Sequence, residues 1–335
     1  MNTSESISST GWALPSVFAL IIAIISAGCQ VDPVPGTKTP KAVFIIVDGI
    51  PADVIESVST PNLDKIGNGD GYARAYVGGE AGGPTESPTI SAVGYNSLLT
   101  GTWANKHNVW GNGVVNPDYS YWDIFRIAKV HETSLQTAIF STWTDNRTKL
   151  LGDGLEAAGG NKLDYHYDGF ELDTERFPHD EAGHYIGEID AIVAAEAARY
   201  IRENGPDLSW IYLEHTDGIA HVHGDGPEQV QAVQLMDAQM GAIWSSINDR
   251  QDNYDEDWLL VITTDHGRDA ATGKGHGGQS ERERTTWIVT NSTRLNARFR
   301  DMPAIVDILP SIAVHMQLGI PESVQDQLDG QTFID

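Results

Sequence analysis

The sequence holds a single cysteine, Cys29, among 335 residues. No intramolecular disulfide can form, so the apolar core has to hold the fold without cross-links. Basic residues are also scarce: Lys and Arg total 21 against 47 Asp and Glu, a formal charge of −26. So acidic a surface repels the phosphate backbone of nucleic acids. It excludes a nucleic-acid polymer as partner, but not a small phosphate ester held at cations. An internal repeat and a long low-complexity tract are both missing. Apolar residues make up 40% and charged residues 20%, the balance of a globular protein. The length suits one large α/β domain or two small ones.

The apolar stretch 17–28 runs from Val17 to Gly28. At about 12 residues it is short for a membrane span and right for the core of a signal peptide. Ser26-Ala27-Gly28-Cys29 resembles a bacterial lipobox, in which the cysteine is lipidated and becomes the new N-terminus. No Lys or Arg precedes Cys29, and Ser26 stands where a larger apolar residue is usual. The expectation is a signal peptide over 1–29, export to the periplasm or outer surface, and attachment to a bacterial membrane through lipid on Cys29. Residues 30–40 are Pro-rich and read as a linker. Residues 41–335 read as the folded domain.

That domain opens with Lys41-Ala42-Val43-Phe44-Ile45-Ile46-Val47-Asp48. An apolar run rich in β-branched residues that ends in a carboxylate is the signature of a buried parallel strand. The shape recurs at 210–213, leading to Asp217, and at 258–264, leading to Asp265 and His266. Further strands are expected at 137–142 and 285–290, with helices at 93–100, 122–130, 189–204, 227–248 and 303–317. Alternation of this kind predicts an α/β fold of three layers, a mostly parallel central sheet with helices on both faces. Ligands of such sheets gather beyond the carboxyl ends of the strands, so the three acidic strand ends should converge.

Asp217 and His221 are four residues apart, one face of a helical turn. Asp265-His266-Gly267 sets two ligand types side by side at a strand end, and His276 lies in the glycine-rich Lys274-Gly275-His276-Gly277-Gly278. Alone, each has an ordinary reading: a surface pair, a helix cap, a solvated turn. Their order and placement point to metal ligation, and mixed carboxylate and imidazole ligands suit zinc first among divalent ions. Ser91, in Pro88-Thr89-Ile90-Ser91-Ala92-Val93-Gly94, begins a helical stretch. It could cap that helix. As a nucleophile it would need a base or a metal, and first-turn N–H groups could face a bound phosphate.

This ordered set resembles the alkaline phosphatase superfamily, especially its type I phosphodiesterase/nucleotide pyrophosphatase branch. The resemblance covers roughly residues 41–331 and rests on Ile46-Val47-Asp48-Gly49, Ser91 nine residues before Thr100-Gly101, Asp217 with His221 and Gly224, Asp265-His266-Gly267, Gly275-His276, and the closing Val306-Asp307-Ile308-Leu309-Pro310-Ser311. It implies an alkaline phosphatase-like catalytic domain that hydrolyses small phosphate mono- or diesters. Ser91 would be the nucleophile, forming a covalent phosphoserine, in preference to Thr89 or Ser87. The resemblance also implies two divalent ions: one on Asp217, His221 and His276, the other on Asp48, Asp265, His266 and the Ser91 oxygen. His221 is favoured over His223 as ligand.

Two departures matter. The type I relatives usually carry Asn three residues after the nucleophile; here that residue is Gly94. His107-Asn108-Val109-Trp110-Gly111-Asn112 is similar to a segment of some phosphomonoesterase relatives, which implies that Asn112 contacts the phosphate, although it could equally be a turn residue. No Lys or Arg is placed on the phosphate; Arg268 and Lys274 are only near the metal motifs. A sulfatase is excluded because Ser91 is not followed by x-Pro-x-Arg, and a phosphoglycerate mutase because the chain is too short for its inserted domain. A carbon–phosphorus hydrolase of the phosphonoacetate type, or a binding lipoprotein without turnover, stays open as an alternative.

Overall fold

A computed structural model describes residues 38–335. The expected signal, its lipobox-like end and most of the linker lie outside the described residues. Strand β1 (Thr39–Val47) begins two residues before the expected domain boundary at 41. Its side chains alternate between two cores: Ala42, Phe44 and Ile46 face one, and Val43, Ile45 and Val47 the other. All six are fully buried. A strand apolar on both faces is stable only between two covering layers, which fixes β1 as a central strand.

Among the described residues six further strands complete one sheet: β2 (Tyr72–Tyr76), β3 (Thr137–Ser141), β4 (Tyr165–Tyr167), β5 (Leu208–Leu213), β6 (Glu256–Thr263) and β7 (Thr285–Thr290), in the order β2-β7-β6-β1-β5-β3-β4. β1 pairs in parallel with β5 and β6, and β5 with β3, which pairs with β4. β7 is antiparallel to both β6 and β2, so it alone runs against the rest. The expected mostly parallel, three-layer α/β architecture is therefore present. Strands β2 and β4 were not anticipated.

One face carries the helices Ser91–Thr100, Ile124–His131 and Ile308–His315, whose Tyr95, Leu98, Phe125 and Leu309 pack on Phe44 and Trp210. The other carries His184–Asn204 and Pro227–Asn253, whose Val193, Ala197, Met240 and Ile243 pack on Val43, Ile45 and Leu260. Local chemistry sets the starts. Asp123 caps the second helix by accepting from the backbone N–H of Phe125 and Arg126. Pro227, at the first turn, loses no hydrogen bond there. The stretch expected as a helix over 303–317 divides into a short 3-10 turn, Ile305–Asp307, and the helix Ile308–His315. Among the described residues no helix is long and apolar enough to cross a membrane.

Candidate functional site

The parallel strands deliver their carboxyl ends to one place. Asp48 follows β1, Glu214 and the helix His215–His223 follow β5, and Asp265 and His266 follow β6 after one residue. Trp143 and Asp145 come from the segment after β3. Asp48, Ser91, Asn112, Trp143, Glu214 and Asp217 line a single cavity of about 310 Å³, together with Asp145, Tyr95 and Tyr212.

Helical spacing puts Asp217 Oδ2 3.2 Å from His221 Nε2. In the glycine-rich loop, His276 Nδ1 is 3.0 Å from the Thr89 carbonyl. A carbonyl only accepts, so Nδ1 carries the proton and the bare Nε2 faces His221 Nε2 at 3.1 Å. His266 repeats the arrangement. Its Nδ1 donates to the Gly267 carbonyl at 3.0 Å, and its Nε2 lies 3.3 Å from Ser91 Oγ, Asp48 Oδ1 and Asp265 Oδ2. His223 points instead toward Glu228, at 3.8 Å.

These contacts test whether a cation fits. Asp48 Oδ1 and Asp265 Oδ2 are buried without any hydrogen-bond donor. Bare imidazole nitrogens and carboxylate oxygens facing one another repel, and a divalent ion among them turns that repulsion into ligation. Two sets of ligand atoms, from Asp217, His221 and His276 and from Asp48, Asp217 and His266, each lie within 4.8 Å of one another. The residues fit metal ions. Asp217 reaches both sets, whereas Asp265 joins the second through its 3.3 Å approach to His266. The electrostatics agree. Burial, and then the Asp217 charge, push the Asp48 carboxyl up to about 7. Asp265 is pushed well above the carboxylate range by burial and then Asp48. Burial, followed by the stacked His276 ring 3.7 Å away, pushes His266 well below its ordinary value.

Of the three candidate hydroxyls only that of Ser91 reaches this cluster. Thr89 donates to the Gly278 carbonyl and accepts from Gly277 N–H, both at 2.9 Å, while Ser87 donates to the Thr85 carbonyl and accepts from Ala104 N–H. The expectation that several first-turn N–H groups face a phosphate is corrected. Val93 and Gly94 N–H bond the Ile90 carbonyl, and Ala92 N–H donates to Asn112 Oδ1 at 3.0 Å. Gly94 also finds its reason: a Cβ there would lie 2.8 Å from the Asp265 carbonyl oxygen. The helix touches the segment after β6 with bare backbone, and no asparagine fits at this position.

Several residues escaped the sequence reading. Tyr95 and Tyr212 both donate to Asp48 Oδ2. Tyr95 stands one helical turn after Ser91, a spacing that could have found it; Tyr212 sits within an apolar strand and carried no signal. Arg268, considered for the phosphate, is fully buried and committed to Asp217 and backbone carbonyls. Lys274 is exposed. His107 is buried behind the helix Ser91–Thr100, against Ser97 Oγ.

Comparison with known proteins follows the same lines. Residues 42–327 match the family described as type I phosphodiesterase / nucleotide pyrophosphatase. The phosphonate monoester hydrolase of Agrobacterium radiobacter superposes with a TM-score of 0.60 at 15% identity, covering 88% of this chain and 76% of that one. Human ectonucleotide pyrophosphatase / phosphodiesterase 5 does so with a TM-score of 0.56 at 14% identity, covering 86% and 100%. At such identities the likeness is one of fold. Over 126 residues the chain is 31% identical to GPI ethanolamine phosphate transferase 3 of Eremothecium gossypii, a match covering 33% of this chain and 12% of that protein. The chain thus corresponds to a small part of that relative's length.

Proposed function

The chain belongs to the type I phosphodiesterase / nucleotide pyrophosphatase family, and from that footing we propose that it is a metal-dependent phosphoric-ester hydrolase acting through a covalent phosphoserine on Ser91. One observation carries the reading: Ser91 Oγ lies 3.3 Å from His266 Nε2, beside carboxylate oxygens that have no donor of their own.

Two divalent ions, zinc by ligand chemistry, would be held by Asp217, His221 and His276 and by Asp48, Asp265, His266 and Ser91, and would supply the positive charge that lowers the serine pKa and offsets the phosphoryl charge. Ser91 gives its hydroxyl proton to solvent and Oγ attacks phosphorus; the Oγ–P bond forms as the ester P–O bond breaks, and the departing alkoxide takes a proton from water. Attack by water on the phosphoserine then releases phosphate or a phosphomonoester and restores the hydroxyl. Asn112 presents Nδ2 to a phosphoryl oxygen, since its Oδ1 is occupied by Ala92 N–H. Tyr95 and Tyr212 fix the rotamer of Asp48 by donating to one of its oxygens, leaving the other free.

The cavity favours a diester. Among the described residues no Lys or Arg lines it, and the Glu214 carboxyl on its wall is pushed well above the carboxylate range by burial and then Asp48. A singly charged diester therefore needs less compensating charge from the wall than a doubly charged monoester. Export and lipid attachment at Cys29 belong to the same proposal and rest on residues 17–29 alone.

The test is turnover of p-nitrophenyl phosphate and bis-p-nitrophenyl phosphate by purified zinc-loaded protein, followed by acid quench and phosphopeptide mapping. We expect hydrolysis, loss of it on chelation, and phosphate trapped on Ser91. A metal-replete protein that cleaves neither ester, or an active preparation without metal, would overturn the reading.

A further inference from the structure

We propose that Arg268 is a positioning residue that holds the ligand-bearing segments in register and so sets the affinity of the site for its cations; this rests on the metal-dependent reading above. Its side chain is fully buried and its donors are distributed over three separate segments. Nε donates to the Gly49 carbonyl at 3.0 Å, next to Asp48. Nη1 donates to the Lys274 carbonyl at 2.7 Å, two residues before His276. Nη2 donates to the Asp217 carbonyl at 3.0 Å and forms an ion pair with Asp217 Oδ1. The backbone of Arg268 itself follows Asp265 and His266. One guanidinium therefore ties the turn after β1, the helix carrying Asp217 and the loop carrying His276 to the end of β6.

The arrangement has the marks of a built feature. Gly49 has φ +68°, and a Cβ on it would lie 2.5 Å from Asp217 Oδ1 and 2.7 Å from Arg268 Nη2; only glycine leaves the guanidinium its path. Burying a charge costs several kcal/mol unless its partners are in place, and here they are three carbonyls and a carboxylate. The planar fork can meet acceptors in several directions at once, which a lysine ammonium cannot do from one point. Electrostatically, Asp48, Asp217 and Asp265 crowd three carboxylates into one buried site. The fixed cation offsets part of their mutual repulsion before any ion arrives. Groups that orient metal ligands without touching the metal commonly govern affinity by roughly 10–100-fold.

The test uses the full chain and three variants: Arg268→Met, Arg268→Lys and Gly49→Ala, the last crowding both the fork and Asp217 Oδ1 without removing the charge of Arg268. Zinc affinity is measured by competition with a chromophoric chelator, and amide hydrogen exchange over 269–278 is measured in the metal-stripped protein. We expect roughly 10–100-fold weaker zinc binding for Arg268→Met, a partial recovery for Arg268→Lys, an intermediate loss for Gly49→Ala, and faster exchange of the loop in all three. Equal zinc affinity in every variant, with only a lowered Tm, would reduce Arg268 to a packing residue and overturn the inference. Tighter zinc binding by Arg268→Met would overturn it too, because Arg268 would then compete with the ion for Asp217. A wild-type protein that binds no zinc would instead defeat the metal-dependent reading. Should Arg268→Met fail to fold, Arg268→Lys still decides the matter.

Discussion

Asn112 Oδ1 accepts the backbone N–H of Ala92 at 3.0 Å, so a residue twenty positions downstream completes the first turn of the helix that Ser91 begins. An amide whose oxygen is anchored in this way must turn its NH2 outward, into the cavity. Asn112→Asp keeps the anchor and replaces the donor with an anion. The expected result is a fall in kcat/KM of roughly 10²–10³, the scale for losing one donor to a developing phosphoryl charge, with Tm nearly unchanged. Asn112→Asp at wild-type kcat/KM would remove Asn112 from the phosphate.

Ser91→Ala and Thr89→Ala should separate chemistry from architecture. Without its nucleophile the protein should lose turnover by a factor on the order of 10³ or more and show no phosphoserine by mass spectrometry. Thr89→Ala breaks two hydrogen bonds that anchor Gly277 and Gly278. It should cost about 2 kcal/mol of stability at roughly 1 kcal/mol each while still trapping phosphate on Ser91. Phosphate found on residue 89 in wild type would move the nucleophile by two positions.

Substrate charge gives a third measurement. With no Lys or Arg on the cavity wall among the described residues, kcat/KM for a diester should exceed that for the matching monoester by roughly tenfold, about 1.4 kcal/mol, the effect of one charge in a partly solvated site. Glu214→Lys should narrow or invert the ratio. A ratio that does not move with the charge at 214 would show that the wall plays no part in the choice.

Acid sensitivity follows from His107. Burial holds its imidazole at about 3, well below the ordinary value of about 6.5. It accepts from Val109 N–H through Nδ1 and meets Ser97 Oγ through Nε2. The folded state disfavours the proton, so this contribution is fully present above about pH 6.5 and is lost as pH falls toward 3. At 1.36 kcal/mol per unit, the stability of wild type relative to His107→Gln should fall by about 3 kcal/mol between pH 7 and pH 4, measured by urea unfolding. A pH-independent difference would mean that His107 protonates as readily in the fold as out of it.

Much of this was visible beforehand because buried parallel strands are continuous apolar runs. The runs before Asp48, Asp217 and Asp265 located both the central sheet and its functional end. Strand direction carries no such mark: β7 reads Thr-Thr-Trp-Ile-Val-Thr and could run either way. β2, Tyr-Ala-Arg-Ala-Tyr, is a half-exposed edge strand without the hydrophobic signal of an interior one. The candidate ligands were legible because Asp and His follow the apolar runs at the strand ends. Tyr212 and Arg268 were not, since their roles depend on which segments the fold brings against them. Asn112 was legible only as a candidate, and the hydrogen bond to Ala92 that orients it joins a loop to the first turn of a distant helix.

The bare contact of Gly94 with Asp265 has one more consequence. Where two elements meet through side chains, their separation follows whatever rotamers the core adopts. Here the gap between the Ser91–Thr100 helix and the segment after β6 is set by the close approach of a glycine to the carbonyl and Cβ of Asp265, atoms whose positions follow the backbone. Repacking the surrounding core would leave that ruler unchanged. A single methyl at position 94, by contrast, would act as a spacer and lift Ser91 away from His266 by a few tenths of an ångström.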